Sequence, residues 1–167
     1  MSVSEHRSQA PASVPCFVLT MSDTRTMETE TSGRAIAELL IQAGHTVVDR
    51  QVVKDDPAEV RRVVSEHIDT GAIQAVITTG GTGISRRDST YEALTELFEK
   101  RLDGFGELFR MLSYEQIGAA AMLSRACAGT IRKTIVFSLP GSEKAVRLAM
   151  DKLILPEIGH VVRELRR

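Results

Sequence analysis

The chain has 167 residues, 43% hydrophobic and 26% charged, the composition of one globular domain and not of a disordered chain. Lys and Arg number 21 against 22 Asp and Glu, a net charge of −1, which argues against a broad nucleic-acid or acidic-membrane surface and allows only a local basic patch. The two cysteines, Cys16 and Cys127, have no C-x-x-C or Cys/His metal spacing and read as buried thiols in a reducing cytoplasm.

Residues 1–12 are polar and read as a disordered N-terminal tail, leaving 13–167 as a single domain. The start of the chain lacks the apolar core of a signal peptide, and no apolar run approaches the ~20 residues of a membrane span. A cytoplasmic protein without membrane or nucleic-acid partners is expected.

An alternation of elements follows. The apolar run 16–21 predicts a buried strand. Ile36, Leu39, Leu40 and Ala43 give the stripe of a helix over 33–43, stopped at Gly44. Thr46–Val53 reads as a second strand. Pro57 opens a helix whose face carries Val60, Val63, Val64 and Ile68, and Gly71 ends it. Ala75–Thr79 is a third strand. Leu94, Leu97, Phe98 and Leu102 predict a helix with Ser89 and Glu92 as a capping box. A short helix is expected after Gly106, with Phe105 and Phe109 open between core and subunit contact. Thr134–Leu139 is a strand closed by Pro140 and Gly141. The stretch 145–165 is helical, with a kink near Leu155 forced by Pro156. Strands alternating with helices imply a mainly parallel sheet in a three-layer α/β/α domain.

Ligands of such sheets bind beyond the carboxyl ends of the strands. That rule singles out 22–25, 54–56, 80–88 and 140–142. In Thr78-Thr79-Gly80-Gly81-Thr82-Gly83, glycines directly after a strand allow positive φ and expose successive N–H groups. The loop is either an anion cradle, with Thr79 and Thr82 adding hydroxyls, or a tight turn. It matches neither a Walker A nor a G-x-G-x-x-G motif. Arg86 and Arg87 suit a phosphorylated ligand. Asp88 suits a divalent cation beside that phosphate, or else simply a helix start. Asp55 and Asp56 are either solvated loop acids or a carboxylate that holds a cation or reads a heterocycle edge. Pro140-Gly141-Ser142 is either an anion site at a helix start or a turn with Ser142 as N-cap. His45, His67 and His160 read as structural.

The segment TTGGTGISRRDSTYEAL, 78–94, resembles the signature of the MoaB/Mog family of molybdenum cofactor biosynthesis proteins. The block 104–129 is similar to its second signature and VFSLPGS, 136–142, to its third. SDTRTMETETSG, 22–33, resembles the MoaB branch. The resemblance implies a Rossmann-like domain that forms a homotrimer or homohexamer. It implies molybdopterin binding and, in the active branch, adenylylation of the pterin phosphate with Mg-ATP and release of pyrophosphate. Asp88 then takes a catalytic, Mg²⁺-linked role and Asp55 a pterin-linked one. Gly80, Gly81, Thr82 and Gly83 form the phosphate loop, with Thr79 beside it. Ser22, Asp23, Pro140, Gly141, Ser142 and Ser124 flank the site. The partners implied are pterin, nucleotide and other enzymes of the pathway. The alternative is a non-catalytic molybdopterin-binding or carrier protein. Three features depart from the family pattern. Ser89 and Tyr91 replace Val and Pro, Glu30 replaces Asp, and Glu143 brings negative charge to the loop at 140–142.

Overall fold

A computed structural model describes residues 2–167; Met1, the first residue of the expected tail, lies outside the described residues. The strands are β1 (Pro15–Met21), β2 (Thr46–Val53), β3 (Ala75–Thr79), β4 (Lys100–Arg101), β5 (Cys127–Ile131) and β6 (Thr134–Leu139). They form one sheet in the order β2-β1-β3-β6-β5-β4. The first four in that order are parallel, while β5 runs antiparallel to β6 and β4 antiparallel to β5.

Successive side chains of a strand point to opposite faces, and β1 shows how the two core layers arise. Cys16 and Val18 enter one cluster with Ile36, Leu40, Phe105, Phe109, Met150, Ile158 and Val162. Phe17, Leu19 and Met21 enter the other with Val60, Val64, Ile68 and Leu94. Helices α2 (Ser32–Gln42), α5 (Asp103–Ile117), α6 (Glu143–Ala149) and α7 (Leu155–Leu165) supply the first layer. Helices α3 (Pro57–Asp69) and α4 (Thr90–Thr95) supply the second. The three-layer architecture expected from the strand–helix alternation, and the Rossmann-like form implied by the resemblance, are the ones observed. The α3 stripe Val60, Val63, Val64 and Ile68 is buried as its spacing requires, each side chain contributing about 1.5–3 kcal/mol. Phe105 and Phe109 are core residues, Phe105 lying edge-on to Phe137 with ring centroids 5.2 Å apart.

The structure departs from the sequence reading in several places. Within the stretch expected to be disordered, α1 (Val3–Ser8) is a short helix with a capping box between Ser2 and Glu5. It is docked on α7, where Arg7 pairs with Glu157 and Gln9 Oε1 accepts from Arg163 at 2.6 Å. The apolar stripe 94–102 is not one helix. It ends with α4 at Thr95, passes through β4, and leaves Leu102 at the start of the longer α5. Ser89 caps nothing with its side chain. The kink expected from Pro156 takes the form of a π-helical turn, Met150–Ile154, with Pro156 in the first turn of α7. That placement spares the helix the lost donor and the ring clash of an interior proline.

Both cysteines are free and buried. Burial pushes the Cys16 thiol up to about 12 and the Cys127 thiol up to about 11. Among the described residues, no helix is long and apolar enough to cross a membrane.

Candidate functional site

From β1 the chain crosses to β2 on one side and then returns to β3 on the other. The switch point of the sheet therefore lies between the carboxyl ends of β1 and β3. A groove of about 360 Å³ opens there, lined by Thr20, Ser22, Thr79, Gly80, Gly141 and Ser142 among others. Gly80 has φ +104°, and a Cβ on it would stand 2.3 Å from the Met21 carbonyl oxygen. Only glycine brings β3 out this close to β1.

The loop after Gly80 is where the acids gather. Gly81 has φ +68°, and a Cβ there would lie 2.9 Å from Asp55 Oδ2, so the Asp55 carboxylate rests against the loop backbone. Asp55 Oδ1 accepts from Ser89 Oγ at 2.9 Å and from Thr90 Oγ1 at 3.4 Å. The Asp55 N–H donates to Asp23 Oδ1 at 3.2 Å. Burial raises the Asp55 pKa, the Ser89 hydrogen bonds oppose that, and the charges of Asp88 and Asp23 add to it. Asp88 Oδ2 accepts from the Ser85 N–H at 3.1 Å and the Ser85 hydroxyl at 2.6 Å. Asp23 is ion-paired with Arg87, whose hydrogen bond holds its carboxyl below the ordinary range. Asp56 turns away and caps α3, accepting from the Glu59 N–H at 2.8 Å. Of the two adjacent acids, only Asp55 belongs to the site.

The N–H groups of Gly81, Thr82, Gly83 and Ile84 carry no hydrogen bond among the described residues. Backbone donors left unpaired in succession are uncommon, and a concave run of them receives anions. The cradle reading of the loop therefore has a physical basis in the backbone itself.

Several side chains expected to face a ligand are otherwise occupied. The Thr79 hydroxyl donates to the Pro140 carbonyl at 2.7 Å, tying β3 to the loop after β6. Thr82 is buried. Ser22 Oγ accepts from the N–H of Arg25 at 3.0 Å and of Thr24 at 3.3 Å. Ser142 Oγ caps α6 through the Ala145 N–H at 3.2 Å. Ser124 Oγ accepts from the Ala126 N–H at 3.3 Å. Ser124 lines a second cavity of about 330 Å³, shared with Tyr91, Arg101, Arg110 and Cys127. Glu143 is engaged by Arg147, at 2.9 and 3.1 Å, so its charge is partnered.

Two residues matter more than their spacing indicated. Glu30 is 2% exposed. It accepts from the Gly33 N–H at 2.7 Å and Thr20 Oγ1 at 3.2 Å and pairs with Arg50. Arg125 binds the Gly83 carbonyl through Nε at 3.0 Å and Nη2 at 2.7 Å, and it pairs with Glu92. Its place next to Ser124 in the block 104–129 was the available signal. His67 and His45 are structural: His67 stacks on Phe17 at 3.6 Å and contacts Asp49, and His45 Nδ1 accepts from the Val14 N–H at 3.1 Å.

No group of three or more His, Cys, Asp or Glu able to hold a metal occurs among the described residues.

The class this geometry defines is an α/β/α domain with a glycine loop of unpaired N–H groups at its switch point. Residues 17–160 match the family described as "Probable molybdopterin binding domain". The chain is 55% identical over 168 residues to molybdenum cofactor biosynthesis protein B of Bacillus anthracis, covering 100% of this chain and 99% of that one. The protein of the same name from Bacillus subtilis (strain 168) is 54% identical over 168 residues with the same coverage. A crystal structure of a molybdenum cofactor biosynthesis protein B superposes with a TM-score of 0.92 at 54% identity, covering 95% of this chain and 99% of that one. The tungsten cofactor synthesizing protein MoaB of Pyrococcus furiosus gives a TM-score of 0.85 at 40% identity, with coverage of 95% and 100%. The chain belongs to the MoaB/Mog family of molybdenum cofactor biosynthesis proteins, within its MoaB branch.

Proposed function

We propose that this protein transfers AMP from ATP to the phosphate of molybdopterin. The observation that carries the reading is the run of unpaired N–H groups at Gly81–Ile84 with Asp55 and Asp88 beside it. A phosphate oxygen of the pterin attacks the α-phosphorus of ATP. The bond to the β-phosphate oxygen breaks, and pyrophosphate leaves with the electron pair. No protein nucleophile is required, because the attacking oxygen is already anionic at neutral pH. The protein contributes position and charge. The loop N–H groups hold phosphate oxygens in line, and the groove at the β1/β3 switch point seats the rest of the substrates.

Magnesium fits the donor set. Asp55 and Asp88 offer hard oxygens, and Asp88 directs only Oδ2 at Ser85. The mutual repulsion of Asp55, Asp88 and Asp23 is what a cation relieves. Asp88 would hold Mg²⁺ with help from Asp55, and the ion would supply neutralisation of the charge on the pyrophosphate.

The reading includes a cytoplasmic protein that assembles as a homotrimer or homohexamer and passes its product to other enzymes of the pathway. The exposed Leu108, Met111, Tyr114 and Ile117 on α5 offer an apolar face for assembly. Sedimentation of the pure protein tests that part.

The main test is direct. Purified protein is incubated with molybdopterin and Mg-ATP, with Asp88→Asn in parallel. Adenylylated pterin and pyrophosphate from the wild type, strongly reduced in the variant, are expected. Bound pterin without AMP transfer would replace this reading with that of a binding or carrier protein.

A further inference from the structure

We infer that Arg125 is a positioning residue that aims the N–H groups of the glycine loop, acting on the loop's carbonyls and not on the ligand. The inference rests on the phosphate-loop reading above.

In a trans peptide the carbonyl of one residue and the N–H of the next point in opposite directions. No cis peptide occurs among the described residues. A carbonyl that is held by a donor therefore fixes where the following N–H points. Three consecutive carbonyls of the loop are held. The Gly81 oxygen accepts from the Thr90 N–H at 3.2 Å, and the Thr82 oxygen from the Arg125 N–H at 3.1 Å. The Gly83 oxygen accepts from Arg125 Nε at 3.0 Å and Nη2 at 2.7 Å. The N–H groups that follow them belong to Thr82, Gly83 and Ile84. Each turns away from the donor that holds its peptide, and each is unpartnered among the described residues. Residue 125 thus holds two of the three peptides, that of Thr82 through its backbone N–H and that of Gly83 through its guanidinium.

The same guanidinium reaches across the loop. Arg125 Nη2 also donates to the Asp88 carbonyl at 3.1 Å, so one side chain ties Gly83 to Asp88 and closes the loop between them. The guanidinium is itself braced. It pairs with Glu92 and lies 4.8 Å from the centroid of the Tyr91 ring. The Tyr91 hydroxyl accepts from Arg101 at 2.7 Å. With Nε and both Nη groups committed to Gly83, Asp88 and Glu92, Arg125 has its charge partnered and its donors directed inward. Lysine has the charge without the planar fork and cannot reproduce this geometry.

The test uses the whole protein, Arg125→Lys, and Glu92→Gln as a second variant that keeps the arginine. Binding of Mg-pyrophosphate is followed by calorimetry, backbone order by amide relaxation, and folding by the thermal midpoint. Arg125→Lys is expected to weaken binding about tenfold or more, the scale of one misdirected hydrogen bond to a charged oxygen. The amide order of Ile84, which follows the carbonyl that the guanidinium holds, should fall from ~0.85 to below ~0.6, while Thr82 and Gly83, whose peptides are held by backbone N–H groups, and the sheet stay more ordered. Glu92→Gln should weaken binding about twofold to fivefold, as expected for a partly exposed ion pair. Unchanged binding and loop order in Arg125→Lys would overturn the inference. Lost binding with unchanged loop order would also overturn it, by making Arg125 a direct ligand contact. A wild type that binds no pyrophosphate would overturn the phosphate-loop reading itself. The loop-order comparison uses no ligand, so the two failures are told apart. Should Arg125→Lys fail to fold, Glu92→Gln showing neither weaker binding nor looser order would count against the inference.

Discussion

Two loops face each other across the switch point, and they are built on opposite plans. The loop between β1 and α2 is held by side chains. Glu30 is driven under the surface, where it gathers Thr20, the Gly33 N–H and Arg50. The loop after β3 is held by its carbonyls, and its donors from Gly81 to Ile84 are left unused among the described residues. The first loop is a wall and the second is a receptor. The comparison teaches that receptivity here depends on which half of the peptide group is already satisfied.

That contrast can be broken from either side. Replacing Glu30 with Ala should destabilise most, because it leaves the Arg50 charge with its partner gone. Arg50 keeps 19% exposure, so the expected cost sits at the lower end for a buried pair, about 3 kcal/mol. A chemical denaturation curve measures it, and transfer per folded molecule should be retained. Asp88→Asn should do the reverse. Turnover is expected to fall by a factor on the order of 10²–10³, read as pyrophosphate release, with the denaturation midpoint unmoved. If both variants lose stability and turnover together, the division between wall and receptor is wrong.

Subtler changes sharpen the picture. Ser85→Ala removes the 2.6 Å hydroxyl contact to Asp88 Oδ2 and keeps the N–H contact. It should cost about 1 kcal/mol or less in stability, and a few-fold loss of turnover would show that Ser85 helps aim Asp88. The smallest effect concerns Asp55, whose pKa is raised mainly by burial, with Asp88 and Asp23 adding to it. For a carboxyl raised in the folded state, the contribution to stability is complete below the ordinary aspartate range. It is lost as pH rises through the raised value. Asp55→Asn should therefore be slightly more stable than the wild type at pH 7, and its advantage should shrink on acidification. Thermal midpoints across pH test the sign, and an advantage that grows in acid would refute it.

The parallel part of the molecule was legible because its signals are local. Apolar runs of strand length gave β1, β3 and β6, and the α3 stripe with Pro57 marked its own start, to which the structure adds Asp56 as the cap. The antiparallel edge was not legible. β4 is two exposed residues, and β5 is built of Cys127, Ala128, Gly129, Thr130 and Ile131, a set with little strand signature. β5 exists because β6 offers it an edge, and β4 because β5 in turn offers one, which is information held by another part of the chain. The site divides the same way. Glycines after a strand and acids at strand ends can be read from spacing, and they located Gly80–Gly83, Asp55 and Asp88. Ser89 resembled a capping residue, but Asp55, distant in sequence, is the acceptor its hydroxyl bonds. Arg125 and Glu30 act through partners 42 and 20 residues away, beyond the reach of any local pattern.

The two buried thiols have a practical consequence. With pKa values of about 12 and about 11, on the order of one Cys16 in ten thousand and one Cys127 in a thousand is ionised at pH 8. Alkylating reagents meet almost no nucleophile while the chain is folded. Cys16 is fully buried, so labelling there requires the fold to open, whereas Cys127 lines the second cavity and is shielded mainly by its protonation.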